Sequence, residues 1–295
     1  MKDLVQYVAI GLGNGAVYAM IGMGLVVIFR STGLLNFAQG EMAMFSTFFV
    51  WQLHQLGVNL WLALLGGIVG GFCLGALVHQ VVIRPFGDPH QKPLAVVIVT
   101  IGLFLGLNSL AQLIWGTEQN QFDRVFGDGQ FGLAGASIGW QKVGGLAVLA
   151  AEVVVLVLIF QKTKLGLGMR AVASNPESSA LSGVPVNRVL MIGWGLASAL
   201  GAIGGTFMAP AAGALDPNLM QLPLIYAFAA ITLGGFDSLL GAVVGGLVVG
   251  VVSDVTPQYV SAIEKVPLAP AFVLILVVLL IRPQGLFGAA KVSRV

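Results

Sequence analysis

The sequence predicts an all-α integral membrane bundle with about eight or nine transmembrane segments, some of them interrupted or re-entrant. Three observations carry that prediction. Apolar residues make up 57% of the 295-residue chain and charged residues only 9%, against roughly 25% charged in a soluble domain. Mean hydropathy is +0.96. Apolar runs close to the roughly 20 residues needed to cross a bilayer recur along the whole length. Length therefore counts spans, and residues 1–295 read as one transmembrane domain.

The segments follow in order. Val5 to Phe29 is the first; it is too long for a signal-peptide core and is expected to be retained. Leu34 to Leu53 is the second, interrupted by Asn36, Gln39 and Glu41. Leu60 to Ile83 and Leu94 to Trp115 are the third and fourth. Gly116 to Lys142 is polar, and its glycines and aromatic residues (Phe122, Phe126, Phe131, Trp140) suggest a packed loop or short hairpin. Val143 to Phe160, carrying Glu152, is the fifth. After a polar interval come Leu190 to Ala212 and a stretch from Leu222 to Val255 that is too long for one helix. The GGFDS break at Gly234 to Ser238 divides that stretch in two. Pro267 to Ile281 is last.

Lys and Arg set the orientation, because they concentrate on the cytoplasmic side. Placing the 161–189 loop inside and counting nine spans puts the N-terminus outside and the C-terminus in the cytoplasm. Ten basic residues then lie inside: Arg30, Arg84, Lys92, Lys162, Lys164, Arg170, Arg188, Arg282, Lys291 and Arg294. Four lie outside: Lys2, Arg124, Lys142 and Lys265.

The 161–189 loop carries its own helix punctuation. Asn175 suits an N-cap, Pro176 the first helical position and Glu177 the positive end of the helix dipole. Gly183 suits the stop, and Pro185 opposes continuation. A short capped helix between apolar spans is suited to meeting a partner in water.

The remaining composition excludes several classes. A net charge of +2 is too small to point to nucleic acid. Cys73, the single cysteine, cannot form an internal disulfide and is expected to be a packing residue. The 41 glycines suit close helix packing in lipid. No GxxxxGK[ST] phosphate loop is present, so this chain is not expected to bind and hydrolyse ATP by itself. There is no HExxH and no Cys/His pair at zinc spacing, so no metal ligand set is expected. His54, His79 and His90 are expected at solvated interfaces.

Polar residues inside spans are costly in lipid and usually face a bundle interior, cavity or partner. If the second segment is helical throughout, Asn36, Gln39 and Gly40 share one face. They and Glu41 are the candidates for a translocation path. Glu41 points elsewhere and is expected to act as a polar clasp, accepting from backbone N–H groups at a broken helix start. Glu152 has no local partner in sequence. Asn14, Asn108 and Gln112 are expected to hydrogen-bond between helices. A secondary transporter or channel, using the acids as an ion relay, is a competing reading. A membrane enzyme is another, but no reactive set assembles.

Three stretches together resemble a known family. TGLLNFAQGEM at 32–42, GLGMRAVASNPESSALSGVPVNRV at 166–189 and LGGFDSLLGAVVGGLVVGV at 233–251 resemble branched-chain amino-acid ABC transporter permeases, and the length resembles the LivH-like subunit. Gln39 stands where histidine is frequent and Asp237 where glycine is frequent. The resemblance implies a permease subunit in a bacterial-type inner membrane that is not itself an enzyme. It implies a second permease subunit (a LivM-like paralogue), two cytoplasmic ATPase subunits carrying ATP and Mg, and an extracytoplasmic substrate-binding protein. It assigns the coupling helix to Asn175, Pro176, Glu177, Ser178, Ser179, Ala180 and Leu181, with Arg170 leading into it. Relatives of similar appearance also serve urea and short amides.

Overall fold

The computed structural model describes residues 2–86, 93–133, 136–260 and 265–288. The described residues hold eleven α-helices and one two-stranded hairpin. Three helices precede the first gap: α1 (Lys2–Thr32), α2 (Gln39–Gln55) and α3 (Leu60–Val78). The last runs on through a π turn at His79–Ile83 and a 3-10 turn at Arg84–Phe86. Then come α4 (Pro93–Trp115), β1 (Gln130–Leu133), β2 (Ala136–Gly139) and α5 (Trp140–Lys162). Two short helices follow, α6 (Lys164–Ser174) and α7 (Pro176–Leu181). The chain closes with α8 (Val186–Ala212), α9 (Gln221–Gly234), α10 (Leu239–Tyr259) and α11 (Ala269–Ile281).

Among the described residues, six helices are long and apolar enough to cross a membrane: α1, α3 with its terminal turns, α4, α5, α8 and α10. Two shorter apolar helices are α9 and α11. The apolar windows of α1 and α8 are 83% and 78% buried, and that of α4 only 22%. The bundle is therefore built around α1 and α8, with α4 on the periphery. Against α1 pack α10, α8, α9 and α5; α3 packs against α8 and α2. Small residues allow these approaches. A Cβ on Gly75 would lie 2.2 Å from the Trp194 carbonyl oxygen, and one on Gly250 2.4 Å from the Gly15 Cα.

Two ends are distinguished by their contacts. At one, Gln6 and Ser137 exchange hydrogen bonds of 3.0 and 2.7 Å, joining α1 to the hairpin. Asn120 pairs with Leu215 there, and His54 meets Asp123 at 3.0 Å. At the other end Arg30 Nε donates to the Asp237 carbonyl at 2.7 Å, and Asn187 donates to Gln80. The expected hairpin is present, with Gln130 opposite Gly139. So is the break after α9: Gly235 has φ +108°, and Ser238 caps α10 by accepting from the Gly241 N–H at 3.0 Å.

Four expectations change. Residues 33–38 are not helical, so α2 starts only at Gln39 and is 17 residues long. Asn36 therefore does not share a helix face with Gln39 and Gly40. The loop before α8 holds two helices, since α6 precedes the short α7. His79 is 2% exposed and sits beside Trp194, with ring centroids 6.4 Å apart, because the π turn carries it inward. Cys73 lies exposed on the outer face of α3. Lys92, Lys291, Arg294 and His90 lie outside the described residues.

Candidate functional site

The polar cluster in the bundle begins where α1 ends. Gly33, with φ +70°, turns the chain back on itself. Asn36 Oδ1 accepts from the Ala38 N–H at 3.0 Å, a local turn that competes with helix and explains why α2 starts late. Asn36 Nδ2 reaches the Met42 sulfur at 3.4 Å. Gln39 Nε2 donates to the Ala197 carbonyl at 2.8 Å, near the middle of α8. Its Oε1 is buried with no donor among the described residues. Gly40 lets α2 approach α9, where a Cβ would lie 3.1 Å from Leu224 Cδ2.

Glu41 is 1% exposed, and the partner found for it is a side chain: Asn108 Nδ2 on α4 donates to Glu41 Oε2 at 3.2 Å. The same amide donates to the Pro217 carbonyl at 2.8 Å, and Asn108 Oδ1 accepts from Gln112 at 2.6 Å. Asn108 bonds between helices as expected, whereas the Gln112 bond stays within α4; that Asn108 meets an acceptor on α2 was not legible. Asn14 Nδ2 likewise crosses to Asp254 Oδ2 on α10 at 2.8 Å. The structure thus gathers Gln39, Gly40 and Glu41, with Asn36 beside them, in the buried interior. Glu152 on α5 is 6% exposed, and neither carboxyl oxygen has a hydrogen-bond partner among the described residues.

The second candidate region lies apart, at the end of the bundle that holds Arg30. Asn175 caps α7, its Oδ1 accepting from the Ser178 N–H at 2.9 Å, and Pro176 opens the helix. Ser179 is buried and donates from Oγ to the Asn175 carbonyl at 2.7 Å. The C-terminus closes with Gly183 at φ +83°. Its N–H bonds the Ala180 carbonyl, and the Val184 N–H bonds that of Ser179, both at 3.0 Å. This pair of bonds is the Schellman arrangement. Glu177, Ser178, Ala180 and Leu181 are exposed, Leu181 at 91%. Arg170 on α6 is exposed and borders a cleft of about 200 Å³ with Arg30. On the same loop Leu167 is 62% exposed.

Together these features define a polytopic membrane protein with a buried polar cluster and a rigid helical projection at one end. Comparison with known proteins gives the class. The profile of the family described as "Branched-chain amino acid transport system / permease component" matches residues 7–281. The chain belongs to that family, whose members are permease components and span the membrane many times. It is 26% identical over 299 residues to the high-affinity branched-chain amino acid transport system permease protein LivH of Escherichia coli (strain K12), covering 97% of this chain and 96% of that one. It is 27% identical over 310 residues to BraD of Pseudomonas aeruginosa, a permease protein of the same description, covering 99% and 98%. A more distant likeness, 24% over 280 residues, is to the fructose import permease protein FruF of Bifidobacterium longum, covering 85% of this chain and 73% of that one. Among solved structures, PsaBC from Streptococcus pneumoniae in complex with Fab shares the fold. Its TM-score is 0.50 at 13% identity, covering 94% of this chain and 92% of that one.

Proposed function

We propose that this chain is the LivH-like permease subunit of an ATP-binding-cassette importer for branched-chain or related amino acids. It pairs in the inner membrane with a second, LivM-like permease. An extracytoplasmic binding protein delivers substrate, and two cytoplasmic ATPases, which carry ATP and Mg, drive the cycle. The relatives named for branched-chain amino acid transport support the substrate class.

In this reading α2, α9 and α11 join the six long helices as membrane passes, giving nine. The N-terminus and hairpin then face outside, and α6, α7 and the C-terminus face the cytoplasm. The basic residues of the 161–189 loop support that orientation.

The observation that carries the coupling role is Leu181, 91% exposed at the last turn of a helix closed at both ends by its own hydrogen bonds. Leu181 seats in an apolar groove of the ATPase, and Asn175 to Ala180 hold it there. ATP binding moves α7, the attached spans tilt against the partner permease, and a path at the subunit interface opens first outward and then inward. The non-helical 33–38 segment lets α2 shift against α1, so that Asn36, Gln39, Gly40 and Glu41 border the path in another state. The donor-less Gln39 Oε1 supports this assignment.

The test is copurification. Leu181→Asp in the assembled transporter abolishes recovery of the ATPase while the permease stays monodisperse in detergent; unchanged assembly overturns the coupling assignment. ATP-driven uptake of leucine by the wild-type assembly in proteoliposomes tests the substrate class, with fructose and urea as alternatives.

A further inference from the structure

A cavity of about 370 Å³ opens at the hairpin end, between α1, the loop before α5, α5 itself and α8. It lies apart from the polar cluster and from α7. Small-molecule sites occupy cavities of roughly 300–1,000 Å³. Its charged lining residues are Lys142 and Arg124, and no acid lines it. Arg124 is occupied by Asp128 at 3.0 Å. Lys142 makes no ion-pair contact among the described residues, although the Asp254 carboxylate lies near enough to attract it. Its stem rests on Gly13, where a Cβ would lie 2.8 Å from Lys142 Cγ.

Beside it, Gln141 Oε1 accepts from the Phe126 N–H at 3.1 Å. That bond fixes the amide and leaves its buried Nε2 with no acceptor among the described residues. Buried donors without acceptors are rare in folded proteins. Lys142 also stands in the first turn of α5, which no side chain caps and which holds no acid. A cation at that end opposes the helix dipole, and a bound anion would reverse the penalty. Also in the lining, Asn14 commits Nδ2 to Asp254, leaving Oδ1 as an acceptor with a carboxylate behind it. Val17 and Phe207 supply apolar wall.

We propose that this cavity binds a free aliphatic amino acid as its zwitterion. The α-carboxylate takes the Lys142 ammonium and Gln141 Nε2. The α-ammonium faces Asn14 Oδ1 and the charge of Asp254. The side chain lies against Val17 and Phe207. The inference rests on the reading of the chain as an amino-acid permease and adds to it a receiving site at the outer end.

The test uses the assembled transporter in phosphatidylcholine nanodiscs, without its binding protein, and measures binding of labelled leucine. Lys142→Gln weakens binding by about tenfold or more, the loss expected for a charged hydrogen bond, while Lys142→Arg stays close to wild type. Gly13→Ala, which displaces the lysine stem, weakens it in the same direction. In the wild type, 3-methylbutylamine, which lacks the carboxylate, does not compete, and 4-methylpentanoate, which lacks the amine, competes poorly. Undiminished binding by monodisperse Lys142→Gln overturns the proposal. So does displacement of labelled leucine by glycerol phosphate as readily as by leucine itself, which would mark a lipid headgroup site. ATP-driven leucine uptake by the complete wild-type system separates the two readings. If no amino acid is taken up, the functional reading fails and this site fails with it. If uptake is normal but binding ignores Lys142, only the site fails.

Discussion

Asn108 on α4 donates one amide group to both the Glu41 carboxyl, at 3.2 Å, and the Pro217 carbonyl, at 2.8 Å. One side chain thus ties the start of α2, the peripheral α4 and the loop between α8 and α9. The acid in the second segment is held by a neighbouring helix. The chain break at residues 33–38 instead has its own fastening, the turn closed by Asn36.

Glu41 needs only to accept at this junction, so an amide can replace it. Glu41→Gln retains folded yield and most transport. Glu41→Ala and Asn108→Ala each leave buried polar groups unpaired and destabilise the protein by about 1–3 kcal/mol. Thermal unfolding of the purified permease in detergent, alongside uptake, checks both parts. Loss of uptake in Glu41→Gln at normal yield would show that the carboxylate itself serves transport.

Glu152 is the opposite case, a buried carboxyl with no partner among the described residues. Replacing such a group by an apolar side chain of similar size removes a desolvation cost. Glu152→Leu is expected to raise the melting temperature, by an amount equivalent to about 1–3 kcal/mol. A lower melting temperature would mean that the acid finds a partner in the assembly.

Asn175 fixes the start of α7 through its bond to the Ser178 N–H. Asn175→Ala removes a cap worth about 1 kcal/mol, while Asn175→Asp or Asn175→Ser keeps it. Hydrogen exchange across residues 175–183 should therefore quicken only in the alanine variant. Weaker ATPase recovery should follow the same order.

Gly75 lies against the Trp194 backbone, closer than any side chain allows. Gly75→Val forces α3 away from α8 and lowers the yield of monodisperse protein. Gly102 on the peripheral α4 has nothing within 4 Å of an added Cβ, so Gly102→Ala leaves yield unchanged.

Much of this architecture was legible in the sequence, and the reason is physical. Apolar runs must be helical in lipid because every backbone polar group needs a partner. The α9–α10 break and the α7 cap were readable because Gly235, Ser238, Asn175 and Gly183 act on their immediate neighbours. What escaped depends on distant contacts. The inward turn of His79, the outward Cys73 and the Glu41–Asn108 bond are set by which face of one helix meets another. The 33–38 break was half legible, since an interruption and a broken helix start were expected there; what escaped was that the Gly33 turn and the Asn36 bond leave Asn36 outside the helix. In the cavity at the hairpin end, Lys142 and Gln141 adjoin in sequence, but Asn14 reaches them only through packing.

The double closure of α7 also sets how it meets another molecule. Its shape is maintained by Asn175 at one end and Gly183 with Val184 at the other, without help from outside. A partner gripping it encounters a surface already ordered, so association loses little conformational entropy. Repeated seating and release then need not melt and rebuild the element. Were a partner to move α7, the motion would pass through it as through a rigid lever and emerge at its flanks, where α6 ends and α8 begins.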